Sequence, residues 1–472
     1  MSLTLSQTLT PVRLPEYKGT ISVSSSQRYF QDEQGLGFLV IGQNDAVTWP
    51  GLVELFDQTS PTATEDYIVD LRAHGITVSR VMMEYAQFER GYLETSPGVF
   101  SPAAIRFWDS FIALAERQGL YLLLTPYDTF WQVRNWSLYP YSAAMGGPCN
   151  SLHDWLTAPA AIAAQKARWD FIIERWGGSP NIFAWDLMNE IDLYWGGTPA
   201  EIDAYITEMA TYVREKELAV WGRRHLLTVS SATPIPDSEF GQVIYNHPLL
   251  DFATTHLYVG QGTCTPTDGV ECADEMISGV RLSMQTLSHP RPYLDSESGP
   301  IYEWIKDRAV DREYHHNMSW AHLMAGGAGS GMRWPYTVPH CLLPEFRENL
   351  LALARFAATI DWSRFASRNV TQHLRVDRPG IIKTGCSDQK TTALLWLLAD
   401  SRLPGTISLS GAGVTLVHTL PDGLYCVELW DTQMGVVIEE WAATVSGKKL
   451  TLTLPPLESS HRDVALVVRA AG

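Results

Sequence analysis

Two stretches of the chain bring carboxylates to the ends of mostly apolar runs. Trp185-Asp186-Leu187-Met188-Asn189-Glu190 delivers an amide and a carboxyl side by side, and Pro292-Tyr293-Leu294-Asp295-Ser296-Glu297-Ser298-Gly299 delivers Glu297. Two opposed carboxyl groups are what cleavage of a glycosidic bond requires. One protonates the leaving oxygen, and the other attacks the anomeric carbon or activates water. Either Glu alone carries little weight, because most Glu are solvated surface charges. Their joint placement at the ends of two strand-like runs gives the pair its meaning.

Other polar residues close similar runs. Arg80 sits in Ile76-Thr77-Val78-Ser79-Arg80-Val81-Met82, where an unpaired cation would be costly to bury and a carboxylate is its natural partner. His256 and Tyr258 end the run after Asp251-Phe252-Ala253-Thr254-Thr255, and their i, i+2 spacing puts both polar tips on one face of a strand. Trp334 ends Gly329-Ser330-Gly331-Met332-Arg333, an indole able to stack under a sugar or simply to fill a core. Glu84 and Asp128 follow runs of their own and suit hydroxyl binding better than reaction, whereas Asp186 lies inside its run and reads as structural. Glu303 and Trp304 could line a subsite. Trp131, Trp136 and Trp195 fall in loops on the same side, where sugar contact and loop packing are both open. The aromatic-rich loop 128–154 could wall one end of a cleft.

These runs must be positioned by a scaffold. Eight buried-strand candidates occur, at Leu36–Ile41, Ile76–Met82, Leu120–Thr125, Ile182–Met188, Leu226–Ser230, Phe252–Leu257, Pro292–Leu294 and Gly329–Trp334. Helices with legible ends lie between them. One begins at Thr64 and ends near Gly75; another has Ser101 as cap, Pro102 in its first turn and Gly119 past its end. A third spans about 158–176, and a fourth opens with the capping box Thr198-Pro199-Ala200-Glu201. Two more fit 311–325 and 344–360. Strand alternating with helix eight times is the pattern of an α/β (β/α)8 TIM barrel, in which strand C-terminal ends face the active-site mouth. Strands four and seven then face each other across that mouth. No Gly-x-Gly-x-x-Gly follows the first strand and no P-loop lysine motif occurs, which disfavours a doubly wound sheet.

After about Asp361 the texture changes to short β-like runs separated by Pro404-Gly405, Gly411–Gly413, Pro421-Asp422-Gly423 and Ser446-Gly447. One of those runs is 406–409. The expected division is an N-terminal segment 1–34 packed on the barrel, a catalytic barrel 35–362 and a C-terminal β-sandwich 363–472. Exposed aromatics of the sandwich, such as Trp430 or Trp441, could bind polysaccharide, although packing against the barrel is the stronger expectation.

Composition narrows the partners. Lys+Arg number 35 against 52 Asp+Glu, for a net charge of −17, which opposes nucleic acid and anionic lipid. No apolar run is long enough to span a bilayer, and no signal peptide is visible at the start. The chain as written therefore reads as cytoplasmic, or as secreted if a signal was removed. The six Cys form no Cys-x-x-Cys pair. Cys264 and Cys272 share a polar loop and could be bridged in an exported protein, two free thiols being the plainer alternative. His315-His316 has no acidic partner at ligand spacing and reads as a surface pair, so no metal or other cofactor is expected. No Gly-x-Ser-x-Gly turn supports a serine hydrolase.

Arg80 at the second strand, Asn189-Glu190 at the fourth, His256-x-Tyr258 at the sixth, Glu297 at the seventh and Trp334 at the eighth together resemble a clan A retaining glycoside hydrolase. The arrangement is most similar to family 5, which holds cellulases, mannanases and related β-glycosidases. The resemblance covers about residues 35–360. It implies Glu190 as general acid/base and Glu297 as nucleophile, with Asn189 on the sugar 2-hydroxyl. Arg80 and Tyr258 would hold Glu297, His256 would contact Glu190, and Trp334 would be the stacking platform. The substrate implied is an oligo- or polysaccharide, a β-linked glucan or mannan, with an exo-acting β-mannosidase or β-galactosidase as the alternative. A non-catalytic carbohydrate-binding protein on the same scaffold is the alternative of another class. One departure concerns the third strand. Many members carry a His or Asn pair near the ends of strands three and four, whereas this strand ends Leu124-Thr125-Pro126-Tyr127-Asp128, which makes Asp128 the candidate for hydroxyl recognition.

Overall fold

A computed structural model describes residues 12–60, 62–84, 91–194, 197–258, 269–299, 308–334 and 344–471. Trp195, Cys264, Glu303 and Trp304 lie outside them, and so does the alternative pairing of Cys264 with Cys272.

Eight parallel strands form one sheet: β1 (Val40–Asp45), β2 (Val78–Met82), β3 (Tyr121–Thr125), β4 (Ile182–Asp186), β5 (Leu226–Thr228), β6 (Ala253–Leu257), β7 (Tyr293–Ser298) and β8 (Gly329–Arg333). Every residue of these strands is buried, as expected when helices cover one face and the barrel interior the other. The hydrogen-bonded order runs from β5 through β4, β3, β2, β1, β8 and β7 to β6. The ends meet through the Asp251 N–H donating to Leu227 O at 2.9 Å and the His256 N–H donating to Ser231 O at 3.0 Å. The result is a nearly closed TIM barrel.

A helix follows each strand: α1 (Ala63–Ala73), α2 (Pro102–Gln118), α3 (Pro159–Trp176), α4 (Pro199–Trp221), α5 (Glu239–Tyr245), α6 (Glu271–Gln285), α7 (Arg308–Met324) and α8 (Pro344–Ala357). Ser101 caps α2 by accepting the Ala104 N–H, and Gly119 ends it at φ +70°. Thr198 and Glu201 form a reciprocal capping box at the start of α4.

The sequence reading omits α5 and α6. In α6 the buried Cys272, Ala273, Met276, Ile277 and Val280 recur at helical spacing behind a polar start that reads as loop. Strand β1 also runs past the expected Ile41 to Asp45. Its polar end survives burial because each side chain is hydrogen-bonded. Asp45 accepts from Ser79 Oγ at 2.7 Å and from Gln43 Nε2 at 2.8 Å, and Asn44 donates to Ser296 O at 3.0 Å.

Below the barrel, Ser22–Val23, Phe30–Gln31 and Gly37–Phe38 pair as a small antiparallel sheet. Phe30 meets Phe183 and Phe252 edge-on at 5.0 and 5.5 Å, and Phe38 stacks on Phe183 at 5.7 Å. These rings plug the floor.

The C-terminal part is a sandwich of two antiparallel sheets. The larger joins Arg368–Asn369, β9 (Ile381–Ser387), β10 (Thr392–Ala399), β15 (Asp463–Ala470), β12 (Gly423–Asp431) and β13 (Val436–Val445) in that order. The smaller joins Leu374–Val376, β11 (Gly413–Val417) and β14 (Lys449–Thr453). No strand forms at the expected run 406–409, whereas β9 is an addition.

Two expectations are corrected at the seam with the barrel. Trp430 is buried, edge-on against Phe356 of α8 at 5.3 Å, so it offers no exposed face to polysaccharide. Trp441 is half-buried. His315 and His316 are not at the surface either. His315 stacks on Phe346 at 4.7 Å, and His316 Nε2 lies 2.9 Å from Asp463 Oδ2 of β15. Trp396 Nε1 donates to the same Asp463 oxygen at 2.8 Å. The isolated sequence shows no acid near His316 because its partner arrives from the sandwich, 147 residues further along the chain.

Candidate active site

Arg80 stands at the centre of the mouth, fully buried on β2. Its Nη1 donates to Asn44 Oδ1 at 3.0 Å and to Glu297 Oε2 at 2.8 Å. Its Nη2 donates to Asp186 Oδ2 at 3.0 Å and to Asn189 Oδ1 at 2.6 Å. Two carboxylates and two amide oxygens thus compensate a cation that would otherwise be prohibitive in this interior. The same contacts fix three strands' worth of polar side chains relative to one another.

The backbone after β4 is held from both sides. The Asn189 N–H donates to Tyr127 O at 2.9 Å, and the Glu190 N–H donates to Ser230 Oγ at 3.1 Å. Glu190 adopts left-handed backbone, φ +51° and ψ 50°, which is uncommon for a residue with a Cβ. Asn189 has little freedom. Its Oδ1 accepts from Arg80 and from Ser230 Oγ at 3.3 Å, and its Nδ2 donates to Asp128 Oδ1 at 2.8 Å, leaving one amide N–H unused.

Opposite, an irregularity in the β6–β7 register between Thr255 and His256 brings His256 level with Glu297. Tyr258 donates a short hydrogen bond to Glu297 Oε1, so both oxygens of this carboxylate receive a donor. His256 Nδ1 lies 2.7 Å from Glu190 Oε1 and 3.8 Å from Glu297 Oε2. Oxygens of the two glutamates approach within 4.8 Å of each other.

The electrostatics of the two carboxyls differ. Burial, reinforced by Asp192, raises the Glu190 pKa to about 8 against the opposing pull of Arg80. Burial lowers His256 to about 4, partly offset by Glu297, so near neutral pH a neutral imidazole faces a protonated Glu190. Burial and the Glu297 charge keep Tyr258 protonated, with its pKa well above the usual phenol. Asp128 is raised to about 7, chiefly by burial, with Glu190 and Glu297 adding to it.

Met82, Asp128, Phe130, Trp131, Arg134, Asn189, Glu190, Tyr258, Glu297 and Trp334 line the cleft above these groups. Trp334 packs edge-on against Trp49 at 4.7 Å. Asp128 caps the short helix Thr129–Arg134, which carries Phe130, Trp131 and Arg134 to one wall, and its Oδ2 is buried without a hydrogen-bond partner. Arg80, Asp128, Trp131, Asn189, Glu190, His256, Tyr258, Glu297 and Trp334 thus lie in one constellation. Glu84 is different: it pairs with Arg168 in a buried network with Glu94 and is absent from the lining residues of the cleft. Trp136 packs on Tyr139 beyond the wall.

No protein-family model matches the chain. Over 167 residues, 33% of its length, the chain is 30% identical to mannan endo-1,4-beta-mannosidase 4 of Oryza sativa subsp. japonica and covers 34% of that relative. Mannan endo-1,4-beta-mannosidase 7 of Arabidopsis thaliana is 28% identical over 40% of the chain and 48% of the relative. The chain thus spans less than half the length of these curated relatives. Among solved structures, one described as a glycoside hydrolase superposes over 96% of this chain and 97% of its own, with a TM-score of 0.61 at 16% identity. The endo-beta-1,4-mannanase from Thermotoga petrophila covers 88% and 97%, with a TM-score of 0.51 at 15% identity. The chain is thus similar in sequence, over part of its length, to mannan endo-1,4-beta-mannosidases, and it shares the fold of a solved glycoside hydrolase.

Sequence reasoning misses some parts of this site. Asn44 escapes because polar residues follow Ile41 and the strand reads as finished there. Ser230, which holds both Asn189 and the Glu190 backbone, has no signal beyond its place at a strand end. Phe130 and Arg134 lie in the expected aromatic wall, where nothing in the sequence selects them. Glu190, His256 and Glu297 lie close enough to share a cation. Their atoms are already committed, however: Nδ1 to Glu190, and Glu297 to a guanidinium that would repel a second positive charge.

Proposed function

We propose that the chain is a retaining β-glycoside hydrolase acting on β-linked mannan. The observation that carries this reading is the approach of the two carboxylates. Oxygens within 4.8 Å match the roughly 5 to 5.5 Å separation of retaining enzymes and leave no room for the interposed water of an inverting one. The mannan preference rests on the curated relatives, which are named as mannan endo-1,4-beta-mannosidases.

In the first step a Glu297 oxygen attacks the anomeric carbon while the bond to the leaving oxygen breaks. Glu190 gives its proton to that oxygen. A pKa near 8 keeps the proton on Glu190 at rest, and Arg80 with Tyr258 keeps Glu297 oriented. Once the glycosyl ester forms, the negative charge of Glu297 is gone and Glu190 ionises more easily. It then takes a proton from water, whose oxygen attacks the same carbon and releases Glu297. The unused Asn189 N–H is the donor for the sugar 2-hydroxyl, and Trp334 is the platform beneath the ring.

The test is incubation with 2-deoxy-2-fluoro manno-, gluco- and galacto-configured glycosides, followed by intact mass and peptide mapping. A stoichiometric adduct on Glu297, formed fastest with the manno compound, is the expected result. Hydrolysis of matching substrates with no adduct on Glu297 would refute the assignment, and an adduct only with the gluco or galacto compound would refute the sugar.

A further inference from the structure

On the floor side of the barrel, a cleft opens between Arg28 of the N-terminal sheet, the last turns of α6 and the edge strand Arg368–Asn369 of the sandwich. Arg28, Arg281 and Arg368 line it together with Ser367, Asn369 and Thr371, and among the described residues no acidic side chain does. In a chain with 52 acids against 35 bases, three cations without a facing carboxylate run against composition. Arg28 Nη1 is shielded from solvent and has no hydrogen-bond partner. Burial and the neighbouring Arg368 charge both hold the Arg28 guanidinium below its ordinary pKa. A cation buried in this way is costly unless an anion joins it.

We propose that this cleft binds a doubly charged tetrahedral oxyanion, either free phosphate or the phosphate group of an ester. Guanidinium forks present paired N–H donors that match such oxygens two at a time, and a dianion has acceptors enough for several forks. A neutral sugar would leave the charges uncompensated, and a single carboxylate would satisfy only one fork. The three arginines come from segments far apart in sequence. The ligand therefore ties together the N-terminal sheet, a barrel helix and the edge of the sandwich, and its binding must stabilise the folded chain.

The test is thermal unfolding and calorimetric titration of the full chain with inorganic phosphate, against sodium chloride at matched ionic strength. A saturable rise in Tm with phosphate is expected. Arg368→Gln, at an exposed position, is expected to fold normally and weaken phosphate at least ten-fold, as is Arg281→Gln. Glucose 6-phosphate, titrated separately, distinguishes the sources. Binding that matches phosphate and falls in the same variants supports an ester, while binding of phosphate alone supports the free anion. A Tm shift no larger than that in chloride, or one undiminished in Arg368→Gln, would overturn the proposal.

Discussion

Glu190 concentrates several costs in one residue: left-handed backbone, burial, and a proton kept on a carboxyl near neutral pH. Activity should follow that proton. With the acid form needed to protonate the leaving oxygen, kcat/KM should fall as pH rises through about 8, and Asp128, titrating near 7 in the same cleft, should broaden the limb. A pH–rate profile flat to pH 10 would exclude Glu190 as the acid. Stability should move the other way. Between the unfolded pKa near 4.3 and the folded value of about 8, rising pH ionises the unfolded chain first and drains stability from the native state. Glu190→Gln removes that penalty. At pH 8 it should be more resistant to urea than the parent, by on the order of 1 to 2 kcal/mol, while hydrolysing substrate several orders of magnitude more slowly.

Elements place these residues, and barrel closure depends on how closely β8 approaches β1. A Cβ on Gly329 would stand 1.9 Å from Val40 O, in backbone that cannot yield without breaking the β8–β1 pairing. Gly329→Ala should therefore cost about 3 kcal/mol in equilibrium unfolding, with Gly98→Ala, where a Cβ meets open space and only the left-handed backbone at φ +81° is strained, losing about 1 kcal/mol. Equal losses would mean that the close approach is not what limits the site. The eight barrel strands were legible because each is a short apolar run with a helix-start or helix-stop signal nearby. What escaped were positions where polarity and burial coincide. The end of β1 reads as loop because Gln43, Asn44 and Asp45 are hydrogen-bonded inside the mouth, a compensation no local pattern reveals. Helix α6 hides for the opposite reason, since its apolar face begins behind a polar stretch. Of the site, the residues at strand ends were visible, whereas Ser230 and Asn44 depend on who faces them.

The whole molecule is joined by a shared core rather than a linker alone. Trp396 and Trp430 of the sandwich belong to the same apolar cluster as the barrel helices, and Asp463 binds both His316 and Trp396. Burial pushes the Asp463 pKa up, but His316, Thr432 and Trp396 outweigh it and leave it below the usual value. Its contribution is therefore present above the ordinary Asp range and is lost as pH falls through the depressed folded pKa. Asp463→Ala should lower stability by about 3 kcal/mol at pH 7 by leaving buried donors unpaired, read from urea midpoints. Deleting the chain after Phe365 should yield an insoluble barrel, because Phe356 and Trp320 would be bared; a soluble, active product would show the two parts to be independent.

The floor plug also bears on synthesis. Phe30 is made early, yet its permanent neighbours are Phe183 of β4 and Phe252, the residue just before β6. Until both have left the ribosome, an aromatic side chain near the beginning of the chain has no home, and the barrel cannot seal from below. Closing so long a loop is entropically slow, and an unsealed barrel exposes the apolar interior that draws chains together. The nascent protein is thus most vulnerable to aggregation in its first half, well before either glutamate has a partner across the mouth.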